Sequence, residues 1–384
     1  MVSSTIGLWL LTAGIVSAKT CYNTTIEVPV SSRNAVFNGI KTPVTNQDAT
    51  AFALNATRQG GNFTETALTG YATVSGHYNI SAQYCVPNKP TSDGVNLQIL
   101  THGVGFDKTY WDLPFNNYNY SYVDYALSRG YHTLSYDRLG LGNSSHGEPK
   151  NEIQSFLEVE ALAQITRLIR NGSVPGINQK PSKVIHVGHS FGSAQTYALS
   201  AKYPDLSDAL VLTGFSLNAS YNSLFLAGAN FQQARLNRAV VDRKTSNYSL
   251  GYLTNANSGN NEYLFFYPEH FDPKILAFAE QTKQPVTVGE LLTIASVPSG
   301  SEFTGPVFVI DGANDLPFCG GDCTATGGTA TSIAAGVKLA FPSTKAFSAY
   351  IQPNTGHGLN LHYNATAGYK QIADFLQQHG FGKK

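Results

Sequence analysis

The stretch "VIHVGHSFGSAQ", Val184 to Gln195, decides the fold of this chain. Apolar residues typical of a buried strand lead directly into Gly188, Ser190 and Gly192, and small helix-forming residues follow. A strand that turns sharply into a helix strains the backbone of the turning residue, and glycines on either side let the chain pass. We therefore predict that Ser190 stands exposed at the carboxyl end of the strand, as a nucleophile.

Strand and helix patterns alternate on both sides of this stretch. Strand patterns occur in "VNLQILTH", "YHTLSYD", "KVIHVGH", "DALVLTGF", "GPVFVIDGAND" and "FSAYIQP". Helix patterns occur in "YVDYALSRG", "IQSFLEVEALAQITRLIRNG", "GSAQTYALSAKYP", "TATSIAAGVKLAF" and "GYKQIADFLQQHG". Such alternation predicts an α/β fold with a mainly parallel sheet covered by helices on both faces.

The alternation also suggests how the chain is divided. Residues 19–69 are polar and weakly periodic, with one strand candidate in "TTIEVPVS", and we expect an N-terminal extension packed on the main domain. The main domain is predicted over 70–384, where "YATVSGHYNISAQYCV" reads as a hairpin of two strands. Regularity stops between residues 216 and 300, a stretch too long for a bare loop, which we interpret as an inserted cap or lid of helices.

Composition and charge exclude some classes of partner. Of 384 residues 42% are hydrophobic, enough for a substantial core, and 25 basic residues balance 25 acidic ones. No basic run stands out, so neither nucleic acid nor an anionic lipid surface is expected as a partner.

The first 18 residues resemble a secretory signal peptide. An apolar block from Ile6 to Val16 precedes the small residues Ser17 and Ala18, although no Lys or Arg comes before it. An anchoring helix is the alternative, but the block is short for a bilayer. We expect cleavage after Ala18, a secreted protein and no stable membrane anchor.

Cysteines and glycosylation sequons suit that route. "CGGDC" favours a Cys319–Cys323 disulfide, which leaves Cys21 to pair with Cys85, although other pairings stay open. A metal site is the alternative reading, but the cysteines lack histidine partners at finger-like spacing, so no metal is predicted. Sequons that could carry glycans are Asn23, Asn55, Asn62, Asn79, Asn119, Asn171, Asn218, Asn247 and Asn364. At a tenth, Asn143, we expect no glycan, because one there would crowd the entrance to the site.

A serine nucleophile needs a base, and the base needs a carboxylate that holds its tautomer. Asp315 follows one predicted strand and His357 follows the next, so both should lie at the sheet edge that carries Ser190. Asp311 is a rival for the acid, but it ends the strand itself and has a turn-forming role as the simpler reading.

Two further histidines compete with His357 for the role of base. His362 and His379 both lie near the C-terminus, and His379 ends a helix where it suits a cap. Between two glycines, His357 has the freedom to approach the serine.

Acyl transfer also needs donors for the developing oxyanion. We predict the backbone amides of Phe191, directly after the nucleophile, and of Val104, in the turn "HGVGFD". His102 in that turn is interpreted as a residue that holds it by hydrogen bonds. His189, inside the elbow, is expected to pack beside the serine.

Five motifs in this order, "HGVGFD", "DRLGLGNSS", "GHSFG", "DGANDLP" and "GHGLNLH", make the chain resemble the α/β-hydrolase superfamily, in particular secreted fungal members of its esterase/lipase-like branch. The resemblance implies an eight-stranded, mostly parallel sheet whose first strands are antiparallel, with a cap after strand six. It implies Ser190 as nucleophile, Asp315 as acid and His357 as base. It also implies a structural ion pair for Arg138, and neither cofactor nor metal. Serine rather than aspartate at the elbow argues against halide or epoxide chemistry.

The favoured function is a secreted carboxylic-ester hydrolase acting on a small-molecule ester. Acyl transfer or lactone or amide hydrolysis at the same site, a long-chain lipase and a binding protein without chemistry are the alternatives. Cap aromatics could line an apolar pocket or form the cap's own core, and the candidates are Phe225, Phe231, Phe265 and Phe266. No motif specifies the substrate or the oligomeric state.

Overall fold

Strands and helices alternate along most of the chain in this computed structural model, which describes residues 19–88, 94–177, 179–242 and 247–382. The predicted signal peptide lies outside these ranges. The described strands are β1 (Thr20–Val36), β2 (Gly70–Val86), β3 (Asn96–Thr101), β4 (His132–Tyr136), β5 (Lys183–His189), β6 (Ala209–Thr213), β7 (Gln232–Gln233), β8 (Tyr252–Thr254), β9 (Val286–Thr287), β10 (Val307–Gly312) and β11 (Phe347–Gln352).

The described helices complete the alternation. They are α1 (Asn46–Ala56), α2 (Phe63–Ala67), α3 (Tyr122–Ser128), α4 (Ser155–Asn171), α5 (Phe191–Lys202), α6 (Asn222–Ala229), α7 (Arg238–Val241), α8 (Ser258–Phe265), α9 (Pro273–Thr282), α10 (Val288–Thr293), α11 (Leu316–Cys319), α12 (Ile333–Gly336) and α13 (Ala365–Gln378). Within the described ranges every helix is too short or too polar to traverse a bilayer.

Eight strands form the main sheet, in the order β1-β2-β4-β3-β5-β6-β10-β11. β1 and β2 pair antiparallel, as do β2 and β4, whereas all later pairs are parallel. The predicted fold class, a mostly parallel eight-stranded sheet with antiparallel first strands, is confirmed. Because parallel strands end at one edge, the segments after β3, β5, β6, β10 and β11 meet there.

The expected extension supplies the edge strand of this sheet. β1 pairs with β2 over 17 residues, and the predicted hairpin is wrong, since β2 is one continuous strand whose Gly76 lies opposite Val30. Buried and exposed residues alternate regularly in β1 from Ile26 to Asn34, and the strand candidate in "TTIEVPVS" covers only the middle of the strand. Two directly opposed residues, Cys21 and Cys85, are joined by a disulfide.

Alternate residues of the central strands face opposite layers of the core. Ile99 lies in one hydrophobic cluster with Leu162 and Ile165 of α4, whereas the next residue, Leu100, lies in a second cluster with Ile372 of α13. Helices cover both faces, as the sequence predicted. α12 is shorter than its sequence pattern because Ser332, which accepts from the Ala335 amide at 3.0 Å, begins the helix late.

The segment between β6 and β10 forms the cap. It contains α6 to α10, and also three short strands, β7, β8 and β9, paired antiparallel in that order. The cap thus lies where the sequence placed it, but it mixes helices with a small sheet. That sheet escaped prediction because strands of two or three residues leave no periodicity to detect.

A buried ion network fastens the cap to the sheet. Nη1 of Arg138, just after β4, donates to Oε1 of Glu158 in α4 and to Oε1 of Glu290 in α10, each at 2.6 Å. All three side chains are buried, and the guanidinium also lies 4.7 Å from the ring centre of Phe191. The arginine is thus in a structural ion pair, as the resemblance implied.

Replacing this arginine should strongly destabilise the protein. We expect Arg138→Met to lower the free energy of unfolding by about 3–5 kcal/mol, because two buried carboxylates lose their counter-charge. Chemical denaturation measures the change. Arg129→Met is the matched control, since Arg129 is exposed, and its effect should stay within about 0.5 kcal/mol. Equal losses in the two variants would contradict the structural role of the network.

Candidate active site

Ser190 occupies the sharp turn between β5 and α5. Its backbone has φ 56° and ψ −120°, a strained combination for a residue with a side chain, and its amide donates to the Thr213 carbonyl at 2.8 Å. The side chain is only 9% exposed, because the cap covers this edge of the sheet. Ser190 therefore faces an internal cavity and not the open surface that we expected.

The two flanking glycines permit this turn by lacking a Cβ. A Cβ on Gly188 would lie 2.5 Å from the Gly192 carbonyl oxygen, where α5 begins. A Cβ on Gly192 would lie 2.7 Å from the His102 carbonyl oxygen and would overlap that of Thr101. The glycines thus let the start of α5 pack against the end of β3, which is a tighter requirement than the turn alone imposes.

A buried carboxylate orients the imidazole of His357. Nδ1 of His357 donates to Oδ2 of Asp315 at 2.6 Å, and both side chains are fully buried. The other oxygen of Asp315 accepts from the Phe318 amide at 2.9 Å, as the N-cap of α11. Two hydrogen bonds therefore hold the carboxylate, and it in turn keeps the proton of His357 on Nδ1.

The rival residues have other partners. Asp311 accepts from the Phe215 amide at 2.6 Å, and burial together with the Asp315 charge raises the pKa of its carboxyl well above the usual value. His362 accepts at Nε2 from the Gly356 amide at 3.0 Å, and burial lowers its pKa to about 4. His379 follows α13 as its C-cap, as the sequence suggested.

Successive residues at the end of β6 contact the serine and the imidazole. Thr213 accepts from the Ser190 amide, and the next residue is Gly214, with φ 56°. A Cβ on Gly214 would lie 2.9 Å from Cε1 of His357 and 3.0 Å from Cε1 of His189. Nε2 of His357 has no hydrogen-bond partner among the described residues, so it is not bonded to the Ser190 hydroxyl in this state.

The turn after β3 lies against the serine. A Cβ on Gly103 would lie 2.7 Å from Cβ of Ser190. Nε2 of His102 accepts from the Arg138 amide at 3.1 Å, so Nδ1 carries the proton and donates to the Gly103 carbonyl at 2.9 Å. In a trans peptide the following N–H points the opposite way, so this bond turns the Val104 amide away from His102. His102 thus holds the turn, as predicted.

One cavity of about 80 Å³ opens onto the serine. It lies between the cap and the carboxyl edge of the sheet, and its wall is mostly apolar. The lining residues are Ser190, Ala194, Phe215, Ser216, Leu217, Asn218, Ala219, Asn222, Phe225, Ile294, Ala295, Val297, Pro317 and Phe318.

Of the four aromatic residues proposed from the sequence, only Phe225 lines this cavity. Phe231 and Phe265 line a separate small cavity between the cap and the turn after β3, and Phe266 packs on Phe271 with ring centres 4.6 Å apart. Phe265 also stacks on His357, with ring centres 6.0 Å apart, so it packs against the main domain as well as within the cap. The sequence missed Phe215 and Phe318, although each follows a sheet strand or the predicted acid at the edge where the site lies.

A second disulfide follows Asp315 in the chain. Cys319, at the end of α11, is bonded to Cys323, whose amide donates to the Ala313 carbonyl at 3.0 Å. The sulfur atoms of both cysteines lie near the carboxylate of Asp311, but sulfurs in a disulfide are not thiolate ligands. This bond therefore closes residues 320–322 into a short loop directly after α11, the helix that Asp315 caps.

Most sequon asparagines lie where a glycan could project. Asn218 and Asn364 are half-buried, and the amide nitrogen of Asn364 donates to the Pro353 carbonyl at 2.6 Å. Asn143 is exposed and does not line the cavity, so our reason for excluding a glycan there is wrong. The exposed sequon residues are Asn23, Asn55, Asn62, Asn79, Asn119, Asn143, Asn171 and Asn247.

Gly214 should be required for placing His357. We expect Gly214→Ala to slow labelling of Ser190 by a fluorophosphonate about 100-fold, since a methyl group would displace the imidazole. Gly176→Ala is the control, because Gly176 also has a positive φ, 80°, but has open space at the Cβ position. Labelling of the control should match the wild type. Equal slowing in both variants would show that backbone strain alone is responsible.

Comparisons with solved structures agree with this architecture. The thermophilic esterase of Thermogutta terrifontis, solved with malate bound, is 14% identical with a TM-score of 0.52, covering 80% of this chain and 96% of that chain. BpoC of Mycobacterium tuberculosis H37Rv, provisionally described as a non-heme bromoperoxidase, is 16% identical with a TM-score of 0.52, covering 79% and 97%. The enol-lactonase of Burkholderia xenovorans LB400 is 16% identical with a TM-score of 0.48, covering 78% and 97%. At identities this low, the first two comparisons show a shared fold alone.

Sequence comparisons assign the family. None of the curated proteins compared with the chain matches it. The model of the alpha/beta hydrolase family matches residues 98–368, which is more than half of the chain and includes the serine turn, the cap and His357. The chain therefore belongs to the alpha/beta hydrolase family.

Proposed function

We propose that this chain is a secreted serine hydrolase that cleaves carboxylic esters through an acyl-enzyme intermediate. The observation that carries the proposal is the buried 2.6 Å bond between Asp315 and Nδ1 of His357. That imidazole rests on Gly214, one residue after the Thr213 carbonyl that accepts from the Ser190 amide. A base with its tautomer held beside a strained serine is the arrangement that activates a hydroxyl.

The proposed reaction has two halves. Ser190 attacks the ester carbonyl while Nε2 of His357 takes its proton, and the imidazolium then protonates the leaving alcohol. The amides of Val104 and Phe191 would stabilise the oxyanion, as backbone donors do without carrying charge themselves. Water attacks the acyl-enzyme in the second half and regenerates the serine. The proposed steps use neither metal nor cofactor.

The cavity favours small to medium apolar acyl groups. Its 80 Å³ exceeds what a few waters need, but it is smaller than the roughly 150 Å³ of an engineered cavity that takes benzene. Phe215, Phe225 and Phe318 provide apolar walls, whose contact with a hydrocarbon chain is favourable. A short acyl chain therefore suits the cavity as it stands.

Secretion is part of the proposal. The signal-like N-terminus, the two disulfides and the exposed sequons all fit an oxidising extracellular route.

Ser190→Ala should abolish the activity. We expect hydrolysis of p-nitrophenyl butyrate to fall by several orders of magnitude, with loss of fluorophosphonate labelling, because the nucleophile is gone. Ser193→Ala is the matched control, since it removes a buried hydroxyl three residues later that donates to the Thr213 carbonyl at 2.9 Å. Labelling that survives in Ser190→Ala would refute the nucleophile.

Phe225→Ala should shift the preference toward longer acyl chains. Removing this wall extends the cavity, and each methylene that becomes buried contributes about 0.8 kcal/mol. We expect kcat/KM for the octanoate over the butyrate p-nitrophenyl ester to rise about tenfold. Phe231→Ala is the control, because its ring packs 6.2 Å from that of Phe225 but does not line the cavity. An unchanged ratio in Phe225→Ala would place the acyl chain elsewhere.

A further inference from the structure

His189, the residue before the serine, is a buried polar group that the proposed reaction does not yet use. Its side chain is fully buried and stacks on Tyr110, with ring centres 4.3 Å apart and planes 12° apart. Its ring centre also lies 4.9 Å from that of His357. Packing alone does not require a polar ring here, since an apolar aromatic residue would stack equally well.

The tautomer of His189 follows from its neighbour. The hydroxyl of Thr213 donates to the Gly188 carbonyl at 2.9 Å, so it has only lone pairs to offer His189. Nδ1 of His189 lies 3.1 Å from that hydroxyl and must therefore be the donor. Nε2 is left as an acceptor, and no described residue donates to it.

The two ring carbons beside Nε2 show where this acceptor lies. Cδ2 of His189 is 3.3 Å from the place where a Cβ of Gly103 would stand, and Cβ of Ser190 is 2.7 Å from the same place. Cε1 of His189 is 3.0 Å from the place where a Cβ of Gly214 would stand. Cε1 of His357 is 2.9 Å from that same place. The edge of the His189 ring that carries Nε2 therefore lies between Gly103, which Ser190 also approaches, and Gly214, which His357 also approaches.

His189 stays neutral in these surroundings. Burial lowers the pKa of its imidazole well below the usual value, and the positive charge that His357 gains on protonation lowers it further. Nε2 of His189 therefore remains a hydrogen-bond acceptor, and the ring does not become a second cation beside His357.

Buried acceptors in native proteins are nearly always matched by a donor. Here two such acceptors, Nε2 of His189 and Nε2 of His357, are carried by rings whose centres lie 4.9 Å apart. A water molecule has two O–H groups and can donate to both, whereas an alcohol has one. We propose that Nε2 of His189 accepts the second hydrogen of the hydrolytic water, and so directs the acyl-enzyme to hydrolysis and away from acyl transfer to alcohols.

The step balances without a further reactant, and it rests on the proposed ester hydrolysis. The water oxygen forms a bond to the acyl carbon, and one of its protons passes to Nε2 of His357. The bond from that carbon to the Ser190 oxygen then breaks, and the serine recovers the proton from His357. The second hydrogen, held by His189, stays on the carboxylic acid that leaves. His189 therefore accepts a hydrogen bond and takes no proton.

The variants His189→Asn and His189→Gln test the roles of Nδ1 and Nε2 of His189 separately. An asparagine amide places an N–H near the position of Nδ1 and keeps the Thr213 contact, but it has nothing at Nε2. A glutamine oxygen reaches the position of Nε2.

With p-nitrophenyl butyrate, His189→Asn should keep the burst of nitrophenol, while deacylation slows roughly tenfold, the effect of one lost hydrogen bond. Partition of the acyl group to added methanol should rise by a similar factor, and His189→Gln should restore part of the hydrolysis.

Three results would overturn the inference. Unchanged deacylation and methanol partition in His189→Asn would show that Nε2 holds no reacting water. Loss of the burst with a native circular dichroism spectrum would show that His189 serves acylation as well. If the wild type shows neither burst nor fluorophosphonate labelling, the proposed function itself fails.

Thr213→Val is a second test of the role of His189. It tests the inference even if His189→Asn does not fold. Valine matches threonine in shape but offers no acceptor to Nδ1, so the ring loses the bond that keeps Nε2 unprotonated. Slower deacylation and more methanol ester, with an intact burst, would support the inference. A wild-type partition in a folded Thr213→Val would overturn it.

Discussion

The close approach of helix α5 to the end of strand β3 is the constraint on which the site depends. Without a Cβ on Gly192, the first turn of the helix can lie against the His102 carbonyl, at a distance that any side chain would prevent. This contact brings the turn after β3 to the serine and forces Ser190 to a positive φ. The strain is then held by ladder bonds on either side, including the one from the Ser190 amide to Thr213.

A buried charge network sets the position of the cap relative to that turn. Arg138 bonds one carboxylate of the main domain and one of the cap, and it covers the ring of Phe191, the residue after Ser190. Because a buried arginine cannot be left without its counter-charges, the cap cannot move far at this point without a large cost. The wall of the cavity formed by the cap is therefore tied to the elbow of the sheet.

The histidines around the site differ in their partners, and this difference separates their roles. His102, His189 and His362 are buried without a carboxylate, and burial lowers the pKa of each imidazole. Unlike these three rings, His357 bonds a carboxylate, that of Asp315, through Nδ1. The neutral imidazole of His102 holds a backbone turn, whereas the paired imidazole of His357 is the one that the proposed proton transfer requires.

The sequence by itself indicated the later strands and helices along the chain, the turn at Ser190, the irregular segment interpreted as a cap and the candidate residues of the site. These are local signals: glycine spacing, periodicity, and the position of a polar residue just after a strand. It suggested a strand within β1, in "TTIEVPVS", but neither the full length of β1 nor its place at the sheet edge, because pairing with β2 is a contact between distant segments.

Only the tertiary structure decided that Asp315 and not Asp311 bonds His357, that Phe215 and Phe318 line the cavity, and that no described residue donates to the buried Nε2 of His189. Each of these depends on distances between segments far apart in the chain, and no local pattern encodes such distances.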